Sequence, residues 1–159
     1  MKKYRLTDKY IELPNGTKFY QIEALIDFGS IKKGSLGGYI ESESNLSHSG
    51  NCWVYGDAQV YGSAWVYGNA QVYGNARVDN GKWDKSPLQI QGSKYFVNMS
   101  GENTLRMGCQ NHKLKKWLKH GEEIAEECNE LDLWPEYERY LKLAVEMYQP
   151  ELLMVDDTA

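Results

Sequence analysis

From Val54 to Arg77 the chain reads VYGDAQ, VYGSAW, VYGNAQ, VYGNAR, a repeat of six residues. The frame extends backwards. Gly38, Ser44, Gly50, Gly56, Gly62, Gly68 and Gly74 share one slot, and Ile40, Leu46, Cys52, Ala58, Ala64, Ala70 and Ala76 share another. Ser42, His48, Val54, Val60, Val66, Val72 and Val78 share a third. A small residue, any residue, then Val is the alternation of a strand with one apolar face. Gly followed by Asn, Asp or Ser tolerates positive φ and makes a corner. Three such hexads close one triangular coil of about 18 residues, with each coil stacked about 4.8 Å above the last. The core of such a coil is narrow, so Ala fits the small slot and Leu or Phe would overfill it. A series of short antiparallel hairpins is the competing arrangement. It is disfavoured because too few residues separate successive Gly-Asn pairs to make ordinary strands.

Here the chain resembles the hexapeptide-repeat, left-handed parallel β-helix proteins. The stretch GSLGGYIESESNLSHSGNCWVYG resembles the opening segment of small repeat proteins common in phages and prophages. The resemblance spans roughly residues 20–80 and is weak beyond them. It implies the fold and a phage or prophage origin, and it leaves activity open because a fold does not fix a function.

Seven hexads amount to about two and a third coils, and repeat arrays need about three units and covered ends. An uncovered strand edge templates aggregation. The flanks are therefore expected to act as caps. Residues 1–35 form an N-terminal β cap, with a hairpin over 9–24 turning at Pro14-Asn15-Gly16. Residues 36–80 are the repeat. Residues 81–110 make short strands, with a turn at Ser100-Gly101-Glu102-Asn103. Residues 111–150 are an acidic two-helix region and 151–159 a frayed tail. The first helix is expected to start at Asn111 as N-cap and run to Glu127, with Gly121 weakening its middle. The second starts at Pro135 and ends before Pro150. The fold class is mainly β with C-terminal α: a short β-helix of two to three coils, an N-terminal hairpin and two terminal helices.

Charge is divided unevenly along this frame. Residues 1–121 carry 16 basic and 10 acidic side chains, residues 122–159 only 2 basic and 12 acidic. Direct nucleic-acid binding by the acidic quarter is not expected, since phosphates need cations, and the run Lys113, Lys115, Lys116 and Lys119 is too short to reverse that. No apolar run approaches the roughly 20 residues of a membrane span, and no apolar segment follows the charged MKKYRLTDKY start, so a cytoplasmic protein without a signal peptide is expected. Three widely spaced cysteines, Cys52, Cys109 and Cys128, read as reduced thiols.

Catalytic chemistry finds little support. Many hexapeptide-repeat proteins are acyltransferases with a histidine base, and His48 is the repeat's one histidine, but the frame puts it in the inward Val slot. Cys109, His112, His120 and Cys128 do not make a metal site. The last three are eight residues apart on a helix, about 12 Å per step. Gly34-Ser35-Leu36-Gly37-Gly38 lacks the strand, helix and Lys-Ser/Thr of a phosphate loop. No cofactor, metal or catalytic residue is expected.

Binding chemistry is better supported. The residue after each Val points outward and is Tyr four times running: Tyr55, Tyr61, Tyr67 and Tyr73, with Trp53 and Trp65 outward as well. An 18-residue coil puts Tyr55 under Tyr73 with Gly37 below, and Tyr61 and Tyr67 above Glu43 and Ser49. Strand propensity alone accounts for some of this Tyr content, but Tyr and Trp are also the residues enriched at binding hot spots. Glu122, Glu123, Glu126, Glu127, Glu130 and Asp132 make the end of the first helix strongly negative, either as a solvated face or as a match for a basic partner. The predicted partner-binding residues are Trp53, Tyr55, Trp65, Tyr73, Glu122, Glu123, Glu126 and Glu127. The expected function is non-enzymatic binding of a host protein with a basic surface, such as a defence nuclease blocked in the manner of an anti-CRISPR inhibitor. A structural homo-oligomer and an acyltransferase-like protein are the alternatives.

Overall fold

A computed structural model describes residues 1–154. The chain is mainly β with two C-terminal helices. It opens with β1 (Tyr4–Glu12), β2 (Lys18–Ala24) and β3 (Leu36–Ile40). Six two-residue strands follow: β4 (Trp53–Val54), β5 (Gln59–Val60), β6 (Trp65–Val66), β7 (Gln71–Val72), β8 (Arg77–Val78) and β9 (Lys82–Trp83). Then come β10 (Gln89–Gln91), β11 (Phe96–Gly101), β12 (Thr104–Met107) and β13 (Gln110–Lys113), and helices α1 (Leu114–Glu127) and α2 (Trp134–Tyr148).

The repeat folds as a β-solenoid. Its strands pair parallel with the strand one coil on: β3 with β5, β4 with β7, β5 with β8 and β6 with β9. Val54, Val60, Val66, Val72 and Val78 point inward with Ala58, Ala64, Ala70 and Ala76, and all are buried. Gly56, Gly62, Gly68 and Gly74 turn the corners at φ between 56° and 62°, where a Cβ is strained. Space is also short at these corners: a Cβ on Gly62 would sit 2.6 Å from the Asp79 carbonyl oxygen one coil on.

The coil length is 18 residues only in the middle, where Val54 pairs with Val72 and Val60 with Val78. At the start Ile40 pairs with Val60 and Leu46 bridges to Val66, a step of 20. At the end Val66 pairs with Trp83, a step of 17. The first step shifts the expected frame by two residues. Ile40 and Leu46, not Ser42 and His48, fill the Val slot, and Gly38 lies in a strand rather than at a corner. The two extra residues lie between Leu46 and Val54, eight apart where neighbouring slots are six apart. The corner before Leu46 carries a 3-10 turn, Glu43–Asn45. The Asn45 side chain completes that corner from inside, donating to the Gly62 and Ala64 carbonyls at 3.1 and 2.8 Å. At the other end the parallel ladder runs past residue 80 to Trp83.

Both ends are covered. β1 and β2 form an antiparallel hairpin that begins at Tyr4, earlier than expected, and β2 pairs antiparallel with β3. Lys3 closes the first coil from within. Its ammonium, 1% exposed as a residue, donates to the carbonyls of Gly50 (3.2 Å) and Cys52 (2.8 Å) and lies 3.4 Å from the Cys52 Sγ. Burial pulls it below the usual lysine range. At the far end β10–β13 make an antiparallel sheet in chain order. It meets the solenoid through side-chain amides. Asn98 accepts from Arg77 N–H and donates to its carbonyl, and Gln89 accepts from Tyr73 N–H and donates to the Gln71 carbonyl. Each amide stands in for a stretch of backbone, satisfying groups that the next coil would otherwise pair.

The helices pack on this sheet. Leu114, Trp117 and Gly121 of α1 and Tyr137, Leu141, Ala144 and Val145 of α2 are buried. Trp117 donates its indole N–H to the Leu105 carbonyl at 2.7 Å, and the rings of Trp117 and Trp134 stack at 6.2 Å. Asn111 is not the N-cap of α1. It lies in β13, its side-chain oxygen takes the Ser100 hydroxyl at 2.6 Å, and the helix starts at Leu114, whose N–H reaches the Asn103 carbonyl. Of the expected frayed tail, 151–154 belong to a 3-10 turn, Pro150–Met154, and 155–159 lie outside the described residues.

Candidate partner-binding surface

The outward aromatic slots do not all face solvent. Trp53, expected outward, is 1% exposed. The N-terminal segment lies over it, with Tyr4 and Phe28 edge-on to its ring at 6.3 and 5.2 Å. Tyr61 is covered in the same way, its ring stacked on Phe19 of β2 at 4.6 Å. Trp65 and Tyr73 remain 40% and 45% exposed, and Tyr55 is half-buried. The register puts Tyr55 below Tyr73. Because of the 20-residue first step, Tyr61 rises above Glu41 and Tyr67 above Ser47, not above Glu43 and Ser49. Trp65 and Tyr67, two residues apart on one face, stack at 4.0 Å with their planes 18° apart. They form a rigid aromatic pair at the surface.

Glu122, Glu123, Glu126 and Glu127 are all exposed on the second half of α1. Glu123 meets His120 at 3.3 Å, while Glu122, Glu126 and Glu127 have no ion pair among the described residues. Lys115, Lys116 and Lys119 occupy the first half. That order opposes the helix dipole, which favours acids at the start and bases at the end. Helix stability therefore does not account for the arrangement. Glu130 leaves the acidic group. It turns inward, where the Lys94 ammonium and the Tyr95 hydroxyl (2.7 Å) hold its carboxyl below the usual glutamate range. Glu136 is held down similarly by Ser93 and Tyr140, and its bond pushes the Tyr140 hydroxyl up to about 12.

The histidines are engaged in local contacts. His48 is not inside the coil: its ring stacks on Tyr4 at 4.1 Å, Nδ1 accepts the Lys3 N–H, and Nε2 lies 2.8 Å from the Glu43 carboxylate. Both ring nitrogens are in use, which leaves no lone pair for a general base. Nε2 of His112 pairs with Gln110, and burial pulls the imidazole below its ordinary value. No group of three metal-ligating side chains occurs among the described residues.

Sequence reasoning missed one cavity, of about 90 Å³, between α1, α2 and the four-stranded sheet. Trp117, Trp134, Tyr137, Tyr95, Cys109 and Cys128 are among its walls. The signal was present only as scattered aromatics in three separate elements.

No helix among the described residues is long and apolar enough to cross a membrane. Residues 70–84 match the family described as the YdcK beta solenoid repeat. A curated relative, the "Uncharacterized acetyltransferase YdcK" of Escherichia coli (strain K12), is 39% identical over 62 residues, covering 35% of this chain. The chain spans 19% of that protein's length. The similarity reaches to Trp83 and Asp84, so it includes the last parallel strand, and it identifies this part of the chain as a β-solenoid repeat.

Proposed function

We propose that this chain is a non-enzymatic binding protein. The solenoid's uncovered aromatic slots and the acidic half of α1 dock a partner polypeptide with a basic surface. One observation carries the reading. The chain's own N-terminal segment already docks on two sides of the solenoid, seating Tyr4 and Phe28 on Trp53 and Phe19 on Tyr61. Trp65 and Tyr73 repeat the same chemistry and stay exposed, and Tyr67 is stacked on Trp65. The unpaired glutamates favour a cationic partner and disfavour a second copy, whose acids would repel them. A host protein that grips nucleic acid through a basic groove fits this charge. The phage origin and the inhibitor role rest on resemblance to phage repeat proteins, and the left-handed winding in two to three coils rests on the six-residue period.

The acyltransferase reading draws on the printed name of a relative that overlaps this chain over a short segment. The occupied ring nitrogens of His48 weigh against it. Calorimetry with acetyl-coenzyme A is expected to give no heat, and saturable binding would favour transfer chemistry. The main test is capture from a host lysate with three baits: the native protein, Trp65→Ala with Tyr73→Ala, and Glu122→Lys with Glu126→Lys and Glu127→Lys. One partner should be retained by the first, lost from both variants and released by salt. A partner held equally by all three would refute the proposal. Light scattering distinguishes the homo-oligomer: a dimer or trimer abolished by the aromatic variant would put a second copy on these aromatic slots.

A further inference from the structure

A groove of about 230 Å³ runs between the last coil and the four-stranded sheet, with Asn75, Arg77, Lys94, Tyr95, Phe96 and Arg106 among its walls. No carboxylate among the described residues lines it. Its cations come together for a topological reason. Arg77 lies on β8, outward between buried Ala76 and Val78, and Arg106 on β12. Asn98 on β11 joins them. It is the cross-strand partner of Arg106, and its amide bonds both backbone groups of Arg77. One buried side chain thus links the strand positions of the two arginines, and both residues line the groove.

Their charges are left uncompensated. Lys94 is neutralised by Glu130. Neither arginine has a carboxylate partner among the described residues. The Nε of Arg106 is buried and has no hydrogen-bond acceptor, and its Nη1 makes one long bond, 3.3 Å, to the Gly108 carbonyl. The guanidinium is thus poorly paired, and an anion in the groove would supply acceptors to its remaining nitrogens. Two positive forks match a dianion with several acceptor oxygens, which describes a phosphoryl group better than a single carboxylate.

We propose that this groove binds the phosphoryl group of a small phosphate monoester. Arg77 and Arg106 clamp the oxygens, and the rings of Tyr95 and Phe96 pack against the ester substituent. The volume lies below the roughly 300–1,000 Å³ of drug-sized ligand sites, which restricts the substituent to a small one. The chain is acidic overall, which disfavours a polynucleotide. This site is independent of the partner-binding face.

The test is a titration of the full chain, followed by backbone amide NMR at Asn75, Phe96 and Gly108, with inorganic phosphate, phenyl phosphate and a short single-stranded oligonucleotide. Phenyl phosphate is expected to bind at or below the order of millimolar. Arg77→Ala, at an exposed position, and Arg106→Lys, which keeps the charge and removes the fork, should each weaken it by about tenfold. Thermal melting of both variants should stay native. No shifts at about 10 mM ligand, or equal binding by the variants, would overturn the site. Inorganic phosphate binding as tightly as phenyl phosphate would overturn the ester assignment, and tighter binding of the oligonucleotide through the same arginines would overturn the small-molecule one.

Discussion

The side-chain amide of Asn98 spans the backbone of Arg77, taking its N–H at 3.3 Å and giving a hydrogen to its carbonyl at 2.9 Å. The same amide nitrogen also reaches the Met99 carbonyl at 3.0 Å, and Asn98 is fully buried. Asn98→Ala would leave two backbone groups of the last coil unpaired, a cost of about 2–4 kcal/mol. Asn98→Asp should be worse at neutral pH, because it adds a buried charge and turns a donor into an acceptor, and it should partly recover in acid as the carboxyl protonates. Urea unfolding of the three proteins at two pH values measures both effects. Equal stability of Asn98→Ala and the native chain would show that the solenoid needs no cap there.

Gly121 in mid-helix suggests an easy gain, since Ala is better by about 1 kcal/mol in a helix interior. The structure predicts the opposite outcome. A Cβ at Gly121 would lie 2.2 Å from the far edge of the Trp134 ring, which packs between the helices. Gly121→Ala should push the ring off its seat and cost about 1–3 kcal/mol of overpacking. Loss of near-ultraviolet circular dichroism from the Trp117–Trp134 stack should accompany the lower melting temperature. A stabilised variant with an unchanged spectrum would contradict this account.

Lys3 donates to two carbonyls at the open end of the first coil and faces the Phe28 ring at 4.6 Å. Lys3→Met preserves the stem's packing but removes every donor. It should cost about 1–3 kcal/mol per carbonyl left dry, offset in part by the lost desolvation of a charge. Hydrogen exchange should rise first in Cys52–Val54 and in β1. Uniform exchange across the solenoid would mean that the hairpin, not the ammonium, closes this end.

The helical pair is tied to the loop at Ser93–Tyr95 by Glu130 and Glu136, both held below the ordinary glutamate range by their hydrogen-bond partners. Carboxyls depressed in the folded state stabilise it fully above the unfolded value, roughly pH 4.3, and lose that contribution as pH falls through the folded values. Stability should therefore decline below about pH 4.3, with the helices loosening before the solenoid. Glu130→Gln with Glu136→Gln should flatten that acid limb. An unaltered pH profile in the double variant would assign the decline to other groups.

The periodic part of the fold was legible because each slot has a local cause. Val fills the inner face, Ala fits the narrow core, and Gly takes the corner. The frame failed where a distant group replaces a local one. Asn45 builds the first corner with its side chain, so no glycine marks it, and two extra residues enter after it, between Leu46 and Val54, without breaking the run of small residues. Trp53 and Trp65 are each followed by Val-Tyr-Gly, yet only Trp53 is buried, because Tyr4 and Phe28 reach it from far along the chain. Pattern along a strand cannot report a cover supplied by another segment. The aromatic cavity was hidden for the same reason, its walls coming from a loop, a sheet and two helices. Glu130 reads like its acidic neighbours until Lys94 and Tyr95 are brought beside it by the sheet.

The uneven steps of 20, 18 and 17 residues have a consequence for how this chain can change length. Each unequal step is keyed to its own lid, and only the middle one is interchangeable with another of its kind. A duplication of a whole turn between Val54 and Val72 would lift one lid straight away from the other and leave both seated. Loss of a single hexad would instead rotate one lid by a third of a revolution, carrying Asn98 away from Arg77. Growth and shortening of this molecule are thus restricted to its centre, and to whole turns.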